Sequence, residues 1–133
     1  MKTSLNQIVI TKPDDWHLHL RDGEIMKAVL PSSYRWSRRA IIMPNLVPPV
    51  VTSKDACSYL SRIKACIKKT VDFDPLLTLY LTEETNAKDV VLAFREKIIK
   101  AVKFYPAGAT TNSHNGVKKI KKIYPVLSAM SEE

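Results

Sequence analysis

The sequence predicts an α/β fold with a parallel sheet, built from four βα units. Short apolar runs rich in β-branched residues alternate along the chain with amphipathic helical stretches, which is the pattern of βαβ crossovers. Capping residues and turn signals separate the two kinds of segment. No internal repeat, low-complexity linker or shift in composition divides the 133 residues, so they read as one domain, 1–133.

The first strand is expected over Gln7 to Leu20, with a break near Pro13, and the frame Ile8-Val9-Ile10 belongs to it. Asp22-Gly23 marks the loop where that strand ends. A short helix follows over Glu24 to Val29. The second strand is Arg39 to Met43, running into the proline-rich loop Pro44-Asn45-Leu46-Val47-Pro48-Pro49. Ser53 to Lys69 is the clearest helix. Ser53 can cap it, and Ala56, Tyr59, Leu60, Ile63 and Ile67 fall near one stripe. Leu76 to Leu81 is the third strand. Asn86 or Thr85 can cap a third helix, Ala87 to Ile98. The fourth strand is Ala101 to Tyr105. Val117 to Met130 forms the last helix, with Pro125 as a kink or a late start.

Composition limits the classes of function. The hydrophobic fraction of 45% and the charged fraction of 26% are ordinary for a globular domain. No apolar run approaches the ~20 residues of a membrane span, and no signal-peptide core is evident, so no membrane partner and a cytoplasmic location are expected. The formal charge of +8 invites a nucleic-acid reading. The lysines concerned, Lys64, Lys68, Lys69, Lys118, Lys119, Lys121 and Lys122, lie on helices and read as solvated faces. They lack the interleaved aromatics or known motif of a nucleic-acid binder, so no nucleic-acid partner is expected. Cys57 and Cys66 sit nine residues apart on one predicted helix. At ~1.5 Å per residue that spacing exceeds the ~7 Å reach of a disulfide. They read as reduced packing thiols, and the usual zinc spacings are missing.

The chemistry is concentrated in three segments. In Trp16-His17-Leu18-His19-Leu20-Arg21-Asp22-Gly23, two histidines one residue apart on a strand point to the same side, because side chains alternate with period 2. Both imidazoles can then face one metal ion. Ala40-Ile41-Ile42-Met43-Pro44-Asn45 places an asparagine just past a buried strand. Ala101-Val102-Lys103-Phe104-Tyr105 puts a lysine in the middle of an apolar strand, followed by the small-residue loop Ala107 to Gly116.

These three segments, in this order and at these spacings, resemble dihydroorotase of the shorter bacterial type, within the metal-dependent amidohydrolase superfamily. The resemblance extends from Lys12-Pro13-Asp14-Asp15-Trp16 to Pro125-Val126-Leu127. It implies the amino-terminal half of a (β/α)8 TIM barrel, about four βα units. It further implies reversible, zinc-dependent cyclisation of N-carbamoyl-L-aspartate to dihydroorotate in pyrimidine synthesis, a small-molecule substrate, and a homodimer when complete. By the same resemblance His17 and His19 bind the more buried metal of a binuclear zinc pair, and neutral imidazole is a suitable zinc ligand. Lys103 corresponds to the lysine that becomes a carbamate bridging the two metals. A carbamate is an anionic oxygen donor, whereas a buried ammonium is a costly charge and a poor ligand. Arg21 and Asn45 correspond to the pair that holds the substrate carboxylate, and Arg supplies a planar fork for it. Thr110 and Thr111 correspond to the hydroxyls of a loop that closes over the substrate. His114 lies in that same loop and reads as non-ligating.

A closed barrel of this kind needs ~250 residues, so 133 residues point to an incomplete enzyme, inactive alone. The family's two further histidines and the aspartate that serves as general base have no counterpart here. Asp14, Asp15 and Asp22 lie near the histidines but do not occupy that position. Two other readings stand beside this one. One is another cyclic amidohydrolase, such as a hydantoinase or allantoinase relative, against which Arg21, Asn45 and the Thr110-Thr111 loop argue. The other is a non-catalytic half-barrel that assembles with another chain.

Overall fold

A computed structural model describes residues 8–133. Gln7, the first residue of the expected first strand, lies outside them. The elements run β1 (Asp14–Leu18), α1 (Gly23–Trp36), β2 (Arg39–Ile42), α2 (Ser53–Cys66), β3 (Asp74–Tyr80), α3 (Ala87–Arg95), β4 (Ala101–Lys103), a 3-10 turn (Ile120–Ile123) and α4 (Tyr124–Ser131). The strands form one parallel sheet in sequence order, β1-β2-β3-β4. The alternation of elements predicts this parallel four-strand sheet, and the resemblance predicts that it is half of a barrel.

Strand alternation sorts the residues into two layers. On the helix-covered side, Ala40, Ile42, Leu77 and Leu79 are buried together with Leu20, Leu30, Ala56, Tyr59, Ile63, Val90, Ala93, Ile123 and Val126. The opposite face carries Arg39, Ile41, Met43, Asp74, Leu76, Thr78 and Lys103, around an open concavity of about 740 Å³. In a closed barrel that inner face is filled by side chains from the opposing strands. Across this face Arg39 grips Asp14 through two guanidinium nitrogens, at 2.5–3.1 Å.

Several boundaries differ from expectation, each for a physical reason. Ile8, Val9 and Ile10 form no strand and are 87%, 89% and 74% exposed. Three β-branched residues make a strand only beside a pairing partner, and β1 begins at Asp14, just after Pro13. The first helix runs to Trp36, well beyond Val29, and passes through Pro31. Burial of Met26 and Leu30 on one face outweighs the lost backbone donor. The second helix is capped by Thr52, not Ser53. The Thr52 side chain accepts from Asp55 N–H while the Asp55 carboxylate accepts from Thr52 N–H, a complete capping box. Ser53 instead donates its hydroxyl to Asp89 at 2.5 Å, linking α2 to the first turn of α3. Asn86 caps α3, as expected, whereas Thr85 accepts from Thr82 N–H. The third helix ends at Arg95 rather than Ile98, and the fourth strand at Lys103 rather than Tyr105. Pro125 falls in the first turn of α4, so the late start is what occurs. Cys57 and Cys66 are free thiols. No helix among the described residues is long and apolar enough to cross a membrane.

Candidate metal and carboxylate site

The site lies at the carboxyl ends of the strands, where this architecture places its chemistry. His19 and Arg21 follow β1, Asn45 follows β2, and Lys103 is the last residue of β4. The two Nε2 atoms stand 3.1 Å apart on one side, as their spacing predicts, with His17 in β1 and His19 just past its end. β1 is irregular between Asp15 and Leu18, and there the Asp15 carboxylate accepts from the His17 backbone N–H at 2.9 Å. The contact lies within the stretch where the register of β1 shifts. His17 is exposed and His19 half-buried. Burial first, and then the Arg21 guanidinium, hold the His19 imidazole below its ordinary pKa, in the neutral form a metal requires.

The donor set fits a zinc ion in part. Two imidazole nitrogens at 3.1 Å can both reach one ion at the usual ~2.0–2.1 Å. No group of three or more His, Cys, Asp or Glu suited to a metal occurs among the described residues. Any further ligand in this chain must therefore be of another type. Lys103 is half-buried, and its ammonium lies 5.3 Å from the centre of the Tyr105 ring. Neither Arg21 nor Lys103 has an ion-pair partner among the described residues. The site thus combines two imidazoles and two cations with no carboxylate of its own, which suits an anionic ligand.

Arg21 is held by its backbone. Its φ is +61°, a left-handed conformation unusual for a side chain of this size. The buried Tyr59 hydroxyl donates to the Arg21 carbonyl at 2.6 Å. Next along the chain, Asp22 caps α1 through Gly23 N–H and receives Arg62 in a fork of contacts at 2.7–3.0 Å. Asp22→Ala is expected to destabilise the protein by about 1 kcal/mol, mainly through loss of the cap, as read by denaturant melts. Arg62 holds the Asp22 carboxyl below its ordinary pKa. This contribution is therefore complete above the unfolded carboxyl's pKa, near 4, and is lost as pH falls through the lower folded value.

Asn45 is buried, and its amide donates to the Thr111 carbonyl at 3.0 Å, while Asn112 donates back to the Asn45 carbonyl at 3.1 Å. The 107–116 loop is thereby tied to the end of β2. Ser113 bridges Thr110 within the loop, bonding both its N–H and its carbonyl. A Cβ at Gly116 would run into the Tyr105 carbonyl, so only glycine lets the loop return against the end of β4. Thr110 and Thr111 are exposed, and His114 is exposed in the same loop, lining a separate hollow beside the starts of α2 and α3. The structure therefore brings His17, His19, Arg21, Asn45 and Lys103 together, and leaves the Thr110 and Thr111 side chains at the rim. Sequence reading missed the roles of Tyr59, which holds the Arg21 carbonyl, and of Arg62, which holds the neighbouring Asp22. Tyr59 lies on the stripe of α2 that marks it as core, and only its long-range partner reveals the second role.

The parallel half-barrel thus carries paired histidines, an arginine and a lysine at its strand ends. Comparison with known proteins is more particular. The chain is 59% identical over 125 residues to a dihydroorotase of Jannaschia sp. (strain CCS1), and 57% identical over 128 residues to one of Rhizobium meliloti (strain 1021). These alignments take in 94% and 96% of the chain but 36% and 37% of the relatives. The chain therefore spans about a third of the length of the curated relatives it matches. Among solved structures, a dihydroorotase of Campylobacter jejuni matches with a TM-score of 0.82 at 41% identity, covering 91% of this chain and 35% of that one. A dihydroorotase of Saccharomyces cerevisiae, crystallised with 5-fluoroorotic acid, also has a TM-score of 0.82, at 33% identity, covering 90% and 33%. An L-hydantoinase of Arthrobacter aurescens shares the fold at 12% identity and a TM-score of 0.67. No family model matches the chain.

Proposed function

We propose that this chain is the amino-terminal half-barrel of a dihydroorotase, which reversibly cyclises N-carbamoyl-L-aspartate to dihydroorotate. One observation carries the reading. Two imidazoles, a buried asparagine, and an arginine and a lysine without ion-pair partners among the described residues converge at the strand ends of a chain that matches dihydroorotases along nearly all its length. The hydantoinase likeness extends to fold alone.

In this reading the Nε2 atoms of His17 and His19 hold one zinc ion of a pair. Bound zinc would lower the pKa of a water and polarise the ring carbonyl. Lys103, as its neutral amine, would react with carbon dioxide and release a proton, and the resulting carbamate would be an anionic oxygen donor able to help hold the metal. Arg21 grips the substrate carboxylate in two parallel hydrogen bonds. An asparagine amide has two N–H groups, so Asn45 keeps one for the ligand while the other holds Thr111. Thr110 and Thr111 add hydroxyl contacts when the loop moves inward. The second histidine pair and the general base come from the part of such an enzyme beyond these residues. The whole enzyme is a cytoplasmic homodimer in this reading.

The test uses a complete barrel, made by joining the 133 residues to the carboxyl-terminal remainder of the Jannaschia relative. It is expected to hydrolyse dihydroorotate, and the absence of turnover in a folded, zinc-loaded protein would contradict the reading. Arg21→Lys in the same protein is expected to raise KM strongly although charge is kept, because an ammonium cannot make the fork. Loss of a hydrogen bond to a charged group costs about 1.5–3 kcal/mol. Unchanged KM and kcat would remove Arg21 from the carboxylate site.

A further inference from the structure

Among the described residues, three other than glycine hold a left-handed backbone: Arg21 at φ +61°, Lys97 at +60° and Asn112 at +54°. Side chains avoid this region because Cβ crowds the backbone there. Two of the three have a local explanation. Lys97 follows Glu96, the C-cap of α3, where helices commonly end on one left-handed residue. Asn112 is of a residue type that tolerates the conformation, and it lies in a loop. Arg21 has neither excuse. It stands between the end of β1 and the start of α1, and its side chain is long. Strain of this kind persists only where the surroundings impose it, and it gathers at functional sites.

The surroundings of Arg21 are specific. Tyr59 is fully buried on the core face of α2, and its hydroxyl donates to the Arg21 carbonyl at 2.6 Å. The donor is itself held. The Arg62 guanidinium lies 5.3 Å from the centre of the Tyr59 ring and forks onto Asp22, the residue after Arg21. Packing alone asks only for an aromatic ring at position 59. The hydroxyl reaches beyond the core to the one strained backbone that nothing local explains. That backbone carries a guanidinium with no ion-pair partner among the described residues.

We propose that Tyr59 is a positioning residue for substrate binding, whose hydroxyl locks the Arg21 backbone in the left-handed conformation that aims the guanidinium at the substrate carboxylate. The inference rests on the dihydroorotase reading and deepens it. A change of φ at Arg21 redirects its Cβ, and the whole side chain with it. Bidentate recognition of a carboxylate depends on that direction, since both N–H groups must meet both oxygens. With the hydroxyl in place, the cost of ordering Arg21 is met on folding and not on binding. Tyr59 touches no ligand and acts only through Arg21.

The test is Tyr59→Phe in the complete barrel described above, which keeps the ring and removes only the donor. Calorimetric affinity for N-carbamoyl-L-aspartate is expected to fall about tenfold, the worth of one hydrogen bond to a charged group. KM should rise in parallel, with kcat and zinc content little changed. In an Arg21→Lys background, which has no fork to aim, Tyr59→Phe is expected to raise KM no further. Unchanged affinity and KM, with or without a lower melting temperature, would make the hydroxyl merely structural and overturn the inference, leaving the dihydroorotase reading standing. An equal, additive loss in the Arg21→Lys background would overturn it too. A crystal structure of the unsubstituted barrel with N-carbamoyl-L-aspartate decides the matter even if the variant does not fold. Arg21 is expected to stay left-handed under the Tyr59 hydroxyl while its guanidinium meets the carboxylate, and a negative φ in that complex would overturn the inference. If the unsubstituted protein binds the ligand without turnover, the enzyme reading fails while the affinity comparison still decides Tyr59. If it binds no ligand, both fail.

Discussion

Purified by itself with zinc and bicarbonate, the 133-residue chain is expected to show no measurable hydrolysis of dihydroorotate. Its described residues hold no cluster of three or more His, Cys, Asp or Glu suited to a metal, so a second ion has no protein ligands beyond Lys103. In the proposed reading, a carbamate on Lys103 would then lack one of the two metal partners that would stabilise it. Among the described residues no carboxylate clusters with His17 and His19 as a metal-type group, and in the proposed reading the general base, worth about 10²–10⁴ in rate, lies in the remainder of the enzyme. The sheet also ends at β1 and β4 with open edges, and its inner face is an open concavity, so the isolated chain is prone to edge pairing. Addition of the carboxyl-terminal two thirds of a matched dihydroorotase as a separate chain is expected to recover activity where the halves dock. Turnover near the ~10 s⁻¹ typical of enzymes by the 133 residues alone would show that copies of this chain complete one another's sites.

The second large effect is expected from the histidines. In the complete barrel, a His17→Ala, His19→Ala double variant should lose the zinc ion they hold and with it all turnover. Changes to residues that merely support a ligand cost about 10–100-fold in metal affinity, and removal of two ligands from one ion costs more. Metal analysis after dialysis against a weak chelator checks this. Unchanged zinc content would show that the pair, although 3.1 Å apart, has another purpose.

What could be read from the sequence was what short-range geometry controls. The period of a strand put His17 and His19 on one side, and the order of apolar runs gave four parallel strands. Where two residues competed for one local role, the reading slipped by a position. Thr52 and Ser53 can both cap a helix, and the reciprocal bonds with Asp55 decide for Thr52. Ile8-Val9-Ile10 has the composition of a strand but lacks a neighbour to pair with, which composition does not report. The supports of Arg21 were hidden because they are distant in sequence: Tyr59 reaches back 38 positions and Arg62 reaches back 40 to Asp22.

A crystal structure of the complete barrel grown with zinc and bicarbonate tests the account most directly. The account predicts an anomalous zinc peak within about 2.0–2.1 Å of both the His17 and His19 Nε2 atoms. It also predicts continuous density for a carbamate on Lys103, reaching that ion and a second one, with the lysine turned away from the Tyr105 ring. A well-ordered plain amine still lying over Tyr105 while both metal ions are bound would contradict it.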